Sequence, residues 1–264
     1  MQFSVLGPLT ADHNGENVPL GGIRQRTALA FLVLHANTPV SAARLVSALW
    51  GTDEPTTARK IVQNAVSGLR RIRAGREPQH GSRIDLRTEP PGYVLRLAPE
   101  HVDYGRHREL VDRASRALAD RSWADASAVL RESSELWRGD ALADLAEAGV
   151  DWPELTALRE ARWNALEDRA VADLMLGRHR EVAAELGAVT TAKPARERLC
   201  RLHMVALYRS GRQADALEAY RRVRSALAEL GRRAPSPRSQ ALEQAVLSHA
   251  PELDAADAAL RLAA

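Results

Sequence analysis

The spacing of apolar residues changes from strand-like to helical, back to strand-like, and then to helical for the rest of the chain. At the start, Phe3, Val5 and Leu9 alternate with small or polar residues, and Val18-Pro19-Leu20 follows the turn-rich Asp12-His13-Asn14-Gly15. This predicts two or three short strands joined by turns. From about Arg24 to Ala36, Ala28, Leu29, Leu32 and Val33 recur at helical spacing, and Thr38-Pro39-Val40 breaks the run. Ser41 is placed to cap a second helix, Ala42 to Trp50. Leu45, Val46 and Leu49 form its inward face, and Gly51 ends it.

A third helix follows the acidic, threonine-rich Asp53-Glu54-Pro55-Thr56-Thr57 and runs from about Thr56 to Arg73. On a wheel of 100° per residue, Ile61, Val62, Ala65, Val66, Leu69 and Ile72 share an arc of about 140°. Lys60, Gln63, Asn64, Ser67, Arg70 and Arg71 lie opposite, within about 120°. Gln, Asn and Arg can grip base edges with two hydrogen bonds, and Lys, Arg and Ser can hold phosphates. After a loop with Gly and Pro, Arg83 to Thr88 and Tyr93 to Leu97 read as two strands around Glu89-Pro90-Pro91-Gly92. Arg87 and Arg96 then fall on exposed faces. Strands, three helices and a hairpin in that order predict a winged helix-turn-helix with an extra N-terminal sheet. The third helix is the candidate for the groove and the hairpin for the wing.

From about His101 onward the pattern is helical almost throughout, with glycines at expected helix junctions: Gly139, Gly149, Gly177, Gly187, Gly211 and Gly231. Val171-Ala172, Gly177-Arg178 and Glu181 recur 34 residues later as Val205-Ala206, Gly211-Arg212 and Asp215, the period of the tetratricopeptide repeat. Tyr208, Ala216 and Tyr220 fit the same repeat. An earlier, divergent hairpin is expected around Leu118 to Leu136. The fold class is therefore mainly α with a small β part, a winged helix followed by an all-α array of helical hairpins. Such an array presents a concave surface suited to a protein partner, or serves only as a scaffold. The tail, Pro251 to Ala264, reads as frayed or loosely helical.

Composition adds three points. At 264 residues the chain has room for two domains. It has no apolar run of about 18 residues and no basic-then-apolar leader, and its lone Cys200 excludes an internal disulfide framework. A reducing cytoplasm is the expectation. Charge is uneven: residues 1–98 hold 12 basic against 7 acidic side chains, and Pro55 to Arg76 holds six basic and none acidic. That stripe is the electrostatic footprint a polyanion needs, although a solvated basic helix face would look the same. No phosphate-binding glycine loop is present, and Cys200 with His203 falls short of a metal site. Arg159, Glu160 and Arg162, like Glu167, Asp168 and Arg169, read as solvated helix charges. No nucleophile–base pair emerges, so neither enzyme activity nor a cofactor is expected.

The residues above resemble a known family. Phe3-Ser-Val-Leu-Gly-Pro-Leu9, Arg24-Gln25-Arg26-Thr27-Ala28-Leu29, Leu45 to Gly51 ending in Ala-Leu-Trp-Gly, and Pro55-Thr-Thr-Ala-Arg-Lys60 look like the OmpR-type DNA-binding domain of the Streptomyces antibiotic regulatory proteins. Val66-Ser-Gly-Leu-Arg-Arg71 and Pro91-Gly-Tyr-Val-Leu95 continue the likeness. One departure is Gly68, where members often carry an arginine, so one phosphate contact is expected to be missing. Leu136-Trp137-Arg138-Gly139, Leu176-Gly-Arg-His179, Ala195-Arg-Glu-Arg198, Ala206-Leu-Tyr to Ala216-Leu-Glu-Ala-Tyr220, and the Leu-Gly and Pro of Leu230 to Pro235 resemble the bacterial transcriptional activation domain of the same proteins.

The resemblance implies a DNA-binding domain over 1–98, a tetratricopeptide-like activation domain over 99–250, and a tail over 251–264. Lys60, Gln63, Asn64, Ser67 and Arg71 would face the duplex, with Thr57 at the helix start and Arg59 and Arg70 at the rim for phosphates. Arg87 and Arg96 on the wing would approach the minor groove or the backbone. Expected partners are double-stranded promoter DNA with direct repeats near the −35 region, RNA polymerase with its sigma factor, and a second protomer. Location would be the cytoplasm, at the nucleoid, with no membrane partner, and the regulated genes would make an antibiotic or other secondary metabolite. Residues 1–98 alone would keep some DNA binding. Two other readings remain open at this point: a helical-repeat adaptor whose winged helix binds no DNA, and an enzyme within the helical part. The six-to-zero charge count speaks against the adaptor.

Overall fold

Three antiparallel strands, β1 (Gln2–Ser4), β2 (Thr10–His13) and β3 (Glu16–Asn17), open the chain in the order β1-β2-β3, with Phe3 opposite Ala11. They belong to a computed structural model that describes residues 1–74, 82–231 and 234–263. The expected loop containing Arg76, the Arg232-Arg233 pair and Ala264 lie outside the described residues. The chain packs as two units, Met1–Leu110 with Glu132–Arg162, and Val111–Arg131 with Trp163–Ala264.

In the first unit the sheet is followed by α1 (Ile23–Leu34), β4 (Val40–Ser41), α2 (Ala42–Trp50) and α3 (Ala58–Arg71). Ser41 Oγ caps α2 by accepting the Arg44 N–H at 3.1 Å, as its sequence position predicts. The short strands β5 (Arg73–Ala74) and β6 (Ser82–Arg83) pair with each other. The hairpin of β7 (Leu86–Glu89) and β8 (Gly92–Leu95) joins β4 in a sheet of order β4-β8-β7. The single strand expected over Arg83 to Thr88 is broken, because the Leu86 N–H bonds to the Ile84 carbonyl in a tight local turn. Gly92 is required by close approach: a Cβ there would lie 2.1 Å from the Val40 carbonyl oxygen.

The first unit does not stop at residue 98. Asp103, which begins α4 (Asp103–Ala119), accepts the Val5 N–H at 2.8 Å and the Leu6 N–H at 3.0 Å. Burial pushes its carboxyl above the ordinary range, and those two N–H groups oppose the shift. Beyond α5 (Trp123–Glu135) the chain returns to the same place. The Arg138 N–H donates to the Leu6 carbonyl at 2.7 Å, and the Leu142 N–H to the Gly7 carbonyl at 2.7 Å. Asp144, in α6 (Ala143–Glu147), accepts the Leu9 N–H at 2.8 Å and pairs with Arg26. Trp152 donates its indole N–H to the Ala48 carbonyl at 3.0 Å and meets Phe31 edge-on at 5.1 Å. Leu142, Leu145, Trp152, Leu155 and Leu158 share one core with Phe3, Leu29, Leu45, Leu69 and Leu95. A fragment ending at residue 98 would leave the N–H groups of Val5, Leu6 and Leu9 without acceptors and one side of that core bare.

The second unit is built of helical hairpins. In it α7 (Pro153–Met175) turns into α8 (His179–Ala192), and α9 (Glu197–Arg209) turns into α10 (Gln213–Glu229), so the two turns keep the 34-residue offset seen in the sequence. Gly177 and Gly211, at φ 79° and 77°, supply the left-handed residue each turn needs. The expected earlier hairpin is α4 with α5, where Arg121 takes that conformation at φ 57°. Residues Leu199 to Leu207 of α9 are all buried, which makes it the central rod.

Two expectations change here, at Gly187 and at Glu167 with Arg169. Gly187 is no junction but sits within α8, where a Cβ would come 3.8 Å from His203. Of the two readings of the tail, the helical one holds. After α11 (Pro237–Leu247), the final helix α12 (Ala256–Ala263) buries Ala259 and Ala263, and the Arg201 Nε–H donates to the Ala263 carbonyl at 2.9 Å. Glu167 and Arg169 are not solvated but buried, Glu167 bonded by Arg198 at 2.8 Å and Arg169 paired with Glu185. Asp168 also takes a bond from Arg198, at 3.4 Å. Cys200 and His203 are packing residues: burial pushes the thiol up to about 12, and His203 Nδ1 lies 3.0 Å from Thr190 Oγ1. Among the described residues no helix is long and apolar enough to cross a membrane, and no three metal-ligating side chains cluster.

Asp103→Ala removes the acceptor of two strand-end N–H groups and should destabilise the first unit by about 3 kcal/mol, read as a lower urea midpoint. Asp103→Asn, which keeps one acceptor, should lose less. A second expectation concerns pH. Burial lowers His107 and His203 from 6.5 to about 4. The unfolded chain therefore binds protons between those values that the folded chain refuses. This contribution to stability is full above pH 6.5 and falls as pH drops toward 4, the loss reaching about 2 kcal/mol per histidine at pH 5. Unfolding curves at pH 7 and pH 5 should show the loss, and His107→Gln with His203→Gln should flatten it.

Candidate nucleic-acid interface

The third helix divides as its sequence predicts. Ala58, Val62, Ala65, Val66 and Leu69 are buried, facing the core shared with α1 and α2. Thr57, Arg59, Lys60, Gln63, Asn64, Ser67, Arg70 and Arg71 are exposed. Thr57 stands at the N-cap without a capping bond from its hydroxyl, which stays available to an outside donor or acceptor. The side chains of Arg59, Lys60, Gln63, Asn64 and Arg71 make no hydrogen bond or ion pair with any described residue. Along α3 Lys60 and Arg71 are about 16.5 Å apart at the helical rise, against a major groove about 12 Å wide. Arg70 apart, the exposed face of the rod is thus an acid-free row of uncommitted donors and cations.

The other three arginines are committed. Arg70 does not stand free at the rim. Its Nε–H donates to the Leu86 carbonyl at 2.8 Å and its Nη2 to Thr88 Oγ1 at 2.8 Å. Arg87 makes a two-pronged bond with Asp85, at 2.9 Å on each oxygen, and that carboxylate raises the guanidinium pKa further above its ordinary value. Arg96 pairs with Glu89 through a single nitrogen, Nη2, which reaches the two carboxylate oxygens at 2.9 and 2.8 Å. Both are exposed, as the alternation predicted, yet each has its charge matched within the wing. The alternating Asp85, Arg87 and Glu89 carried that signal in the sequence, since residues two apart share a strand face. Nothing in the pattern marked Arg70, whose acceptors lie 16 and 18 residues away.

Gly68 also reads differently in three dimensions. It is buried against α1, and a Cβ there would lie 1.6 Å from Gln25 Nε2. The Gln25 carboxamide occupies the room a longer side chain would need, so the position does not present a missing phosphate contact on the exposed face.

Comparison with known proteins agrees with this architecture. The family model of the bacterial transcriptional activator domain matches residues 102–247. The chain is 37% identical over 258 residues to the regulatory protein DnrI of Streptomyces peucetius, covering 96% of this chain and 94% of that one. It is 38% identical over 261 residues to the regulatory protein AfsR of Streptomyces coelicolor, covering 96% of this chain and 25% of that much longer relative. The solved structure of Mycobacterium tuberculosis EmbR in complex with a low-affinity phosphopeptide matches 99% of this chain and 68% of its own, with a TM-score of 0.85 at 37% identity. With strands, three helices and a hairpin at its start, the activator domain after them and such identity along nearly its whole length, the chain belongs to the Streptomyces antibiotic regulatory protein family of transcriptional regulators.

Proposed function

We propose that this protein is a sequence-specific, DNA-binding activator of transcription. The observation that carries the reading is the exposed face of α3, where Lys60, Gln63, Asn64, Ser67 and Arg71 stand free with no carboxylate among them. In this reading α3 enters the major groove, with Gln63 and Asn64 reading base edges and Thr57, Arg59, Lys60, Ser67 and Arg71 holding phosphates. Arg70, Arg87 and Arg96 serve the wing. The winged helix is the DNA-binding part, and residues 99–250 contact RNA polymerase and its sigma factor while two protomers occupy neighbouring direct repeats near a −35 region. The genes under control make an antibiotic or related metabolite, in line with the family. No cofactor and no catalytic step belong to this account.

Footprinting on the promoters beside its own gene tests the whole reading: protected direct repeats should appear with a spacing near a multiple of about 10.5 base pairs. Arg71→Ala should reduce the salt slope of the logarithmic binding constant by about 0.9, the share of one phosphate contact. An unchanged slope removes Arg71 from the interface. Asn64→Ala should relax preference at a single base pair, at a cost of about 1–3 kcal/mol on the cognate duplex. Equal weakening on random DNA would show that Asn64 reads no base.

A further inference from the structure

The outer strand of the wing is held by a side chain from another element. β7 lies at the edge of the β4-β8-β7 sheet, so the outward carbonyl of Leu86 has no neighbouring strand to serve it. Arg70, in the last turn of α3, takes that place: one guanidinium bonds the Leu86 carbonyl and the Thr88 hydroxyl, each at 2.8 Å. The same group lies 5.9 Å from the centre of the Tyr93 ring, and Tyr93 is paired with Thr88 across the hairpin. One planar fork therefore touches both strands of the wing. Its neighbour Arg71 is rotated by about 100° and has no partner among the described residues. A lysine at position 70 would keep the charge but, as a single point, could not reproduce a fork spanning two acceptors.

We infer that Arg70 is a positioning residue that fixes the wing against the recognition helix, so that the two meet one duplex together, and that it holds no phosphate itself. The inference rests on the DNA-binding reading above. It predicts that affinity depends on the shape of the Arg70 side chain and not on its charge.

The test uses the full chain and a duplex that the wild-type protein selects from a randomised pool. Arg70→Lys and Arg70→Gln should both bind about tenfold more weakly, the equivalent of one hydrogen-bonded charged group. The salt slope should stay at the wild-type value in both. The hydroxyl-radical footprint should lose protection at the wing edge while the segment under α3 stays protected. Thr88→Val, which removes one acceptor and alters no charge, should give the same change in smaller degree and add nothing to Arg70→Gln. The proposal is overturned if Arg70→Gln lowers the slope by about 0.9 and Arg70→Lys restores both slope and affinity, as a phosphate contact requires. A wild-type chain that selects no duplex ends the DNA-binding reading instead. Amide exchange then decides the matter: faster exchange over Leu86–Glu89 in Arg70→Gln supports the grip, and unchanged exchange refutes it.

Discussion

Three backbone N–H groups near the start of the chain, those of Val5, Leu6 and Leu9, bond to carboxylates 98, 97 and 135 residues away. This is the constraint on which the first unit depends. Strand ends carry donors that must find acceptors once water is excluded. Here the acceptors come from Asp103 and Asp144, and the returning Arg138 and Leu142 N–H groups satisfy the facing carbonyls of Leu6 and Gly7. Because Asp144 also holds Arg26 of α1, and Trp152 holds the Ala48 carbonyl of α2, the same stretch fixes the two helices on which α3 rests.

On that base the exposed row of α3 gains its meaning. Its inner side chains are spent on the shared core, and its outer ones, Arg70 apart, are left without intramolecular work. A cation that already has a carboxylate contributes little field to a polyanion, as with Arg87 and Arg96. The free charge of the described face is thus concentrated on the helix, while the wing contributes shape. In the DNA-binding reading, affinity and register are divided between two elements, and a single arginine fork joins them.

Much of this was legible in the residues. The amphipathic arc of α3, the Ser41 cap and the 34-residue repeat are local or periodic signals, and each appears in the structure at its expected place. The likeness of Leu136-Trp137-Arg138-Gly139 to an activation domain was visible too, but not that Arg138 bonds back to Leu6, because so distant a contact leaves no period. The same holds for Arg70, which looked like any other rim cation. Glu167 and Arg169 read as solvated charges because composition cannot tell a paired buried ion from a hydrated one. The tail stayed undecided between fraying and a helix for a related reason: its alanines are weak core signals alone, and only the Arg201 bond and the neighbouring α9 show why Ala263 is buried.

The first unit is assembled from two separate stretches of chain, with Val111–Arg131 belonging to the other unit in between. Synthesis runs from the N-terminus, and domains generally fold as units while they emerge from the ribosome. The core of that unit is complete only when Leu158 has joined Phe3, Leu29 and Leu45, so one apolar side of the early strands and helices stays uncovered while the residues in between are made, and that exposed surface favours aggregation of the nascent chain.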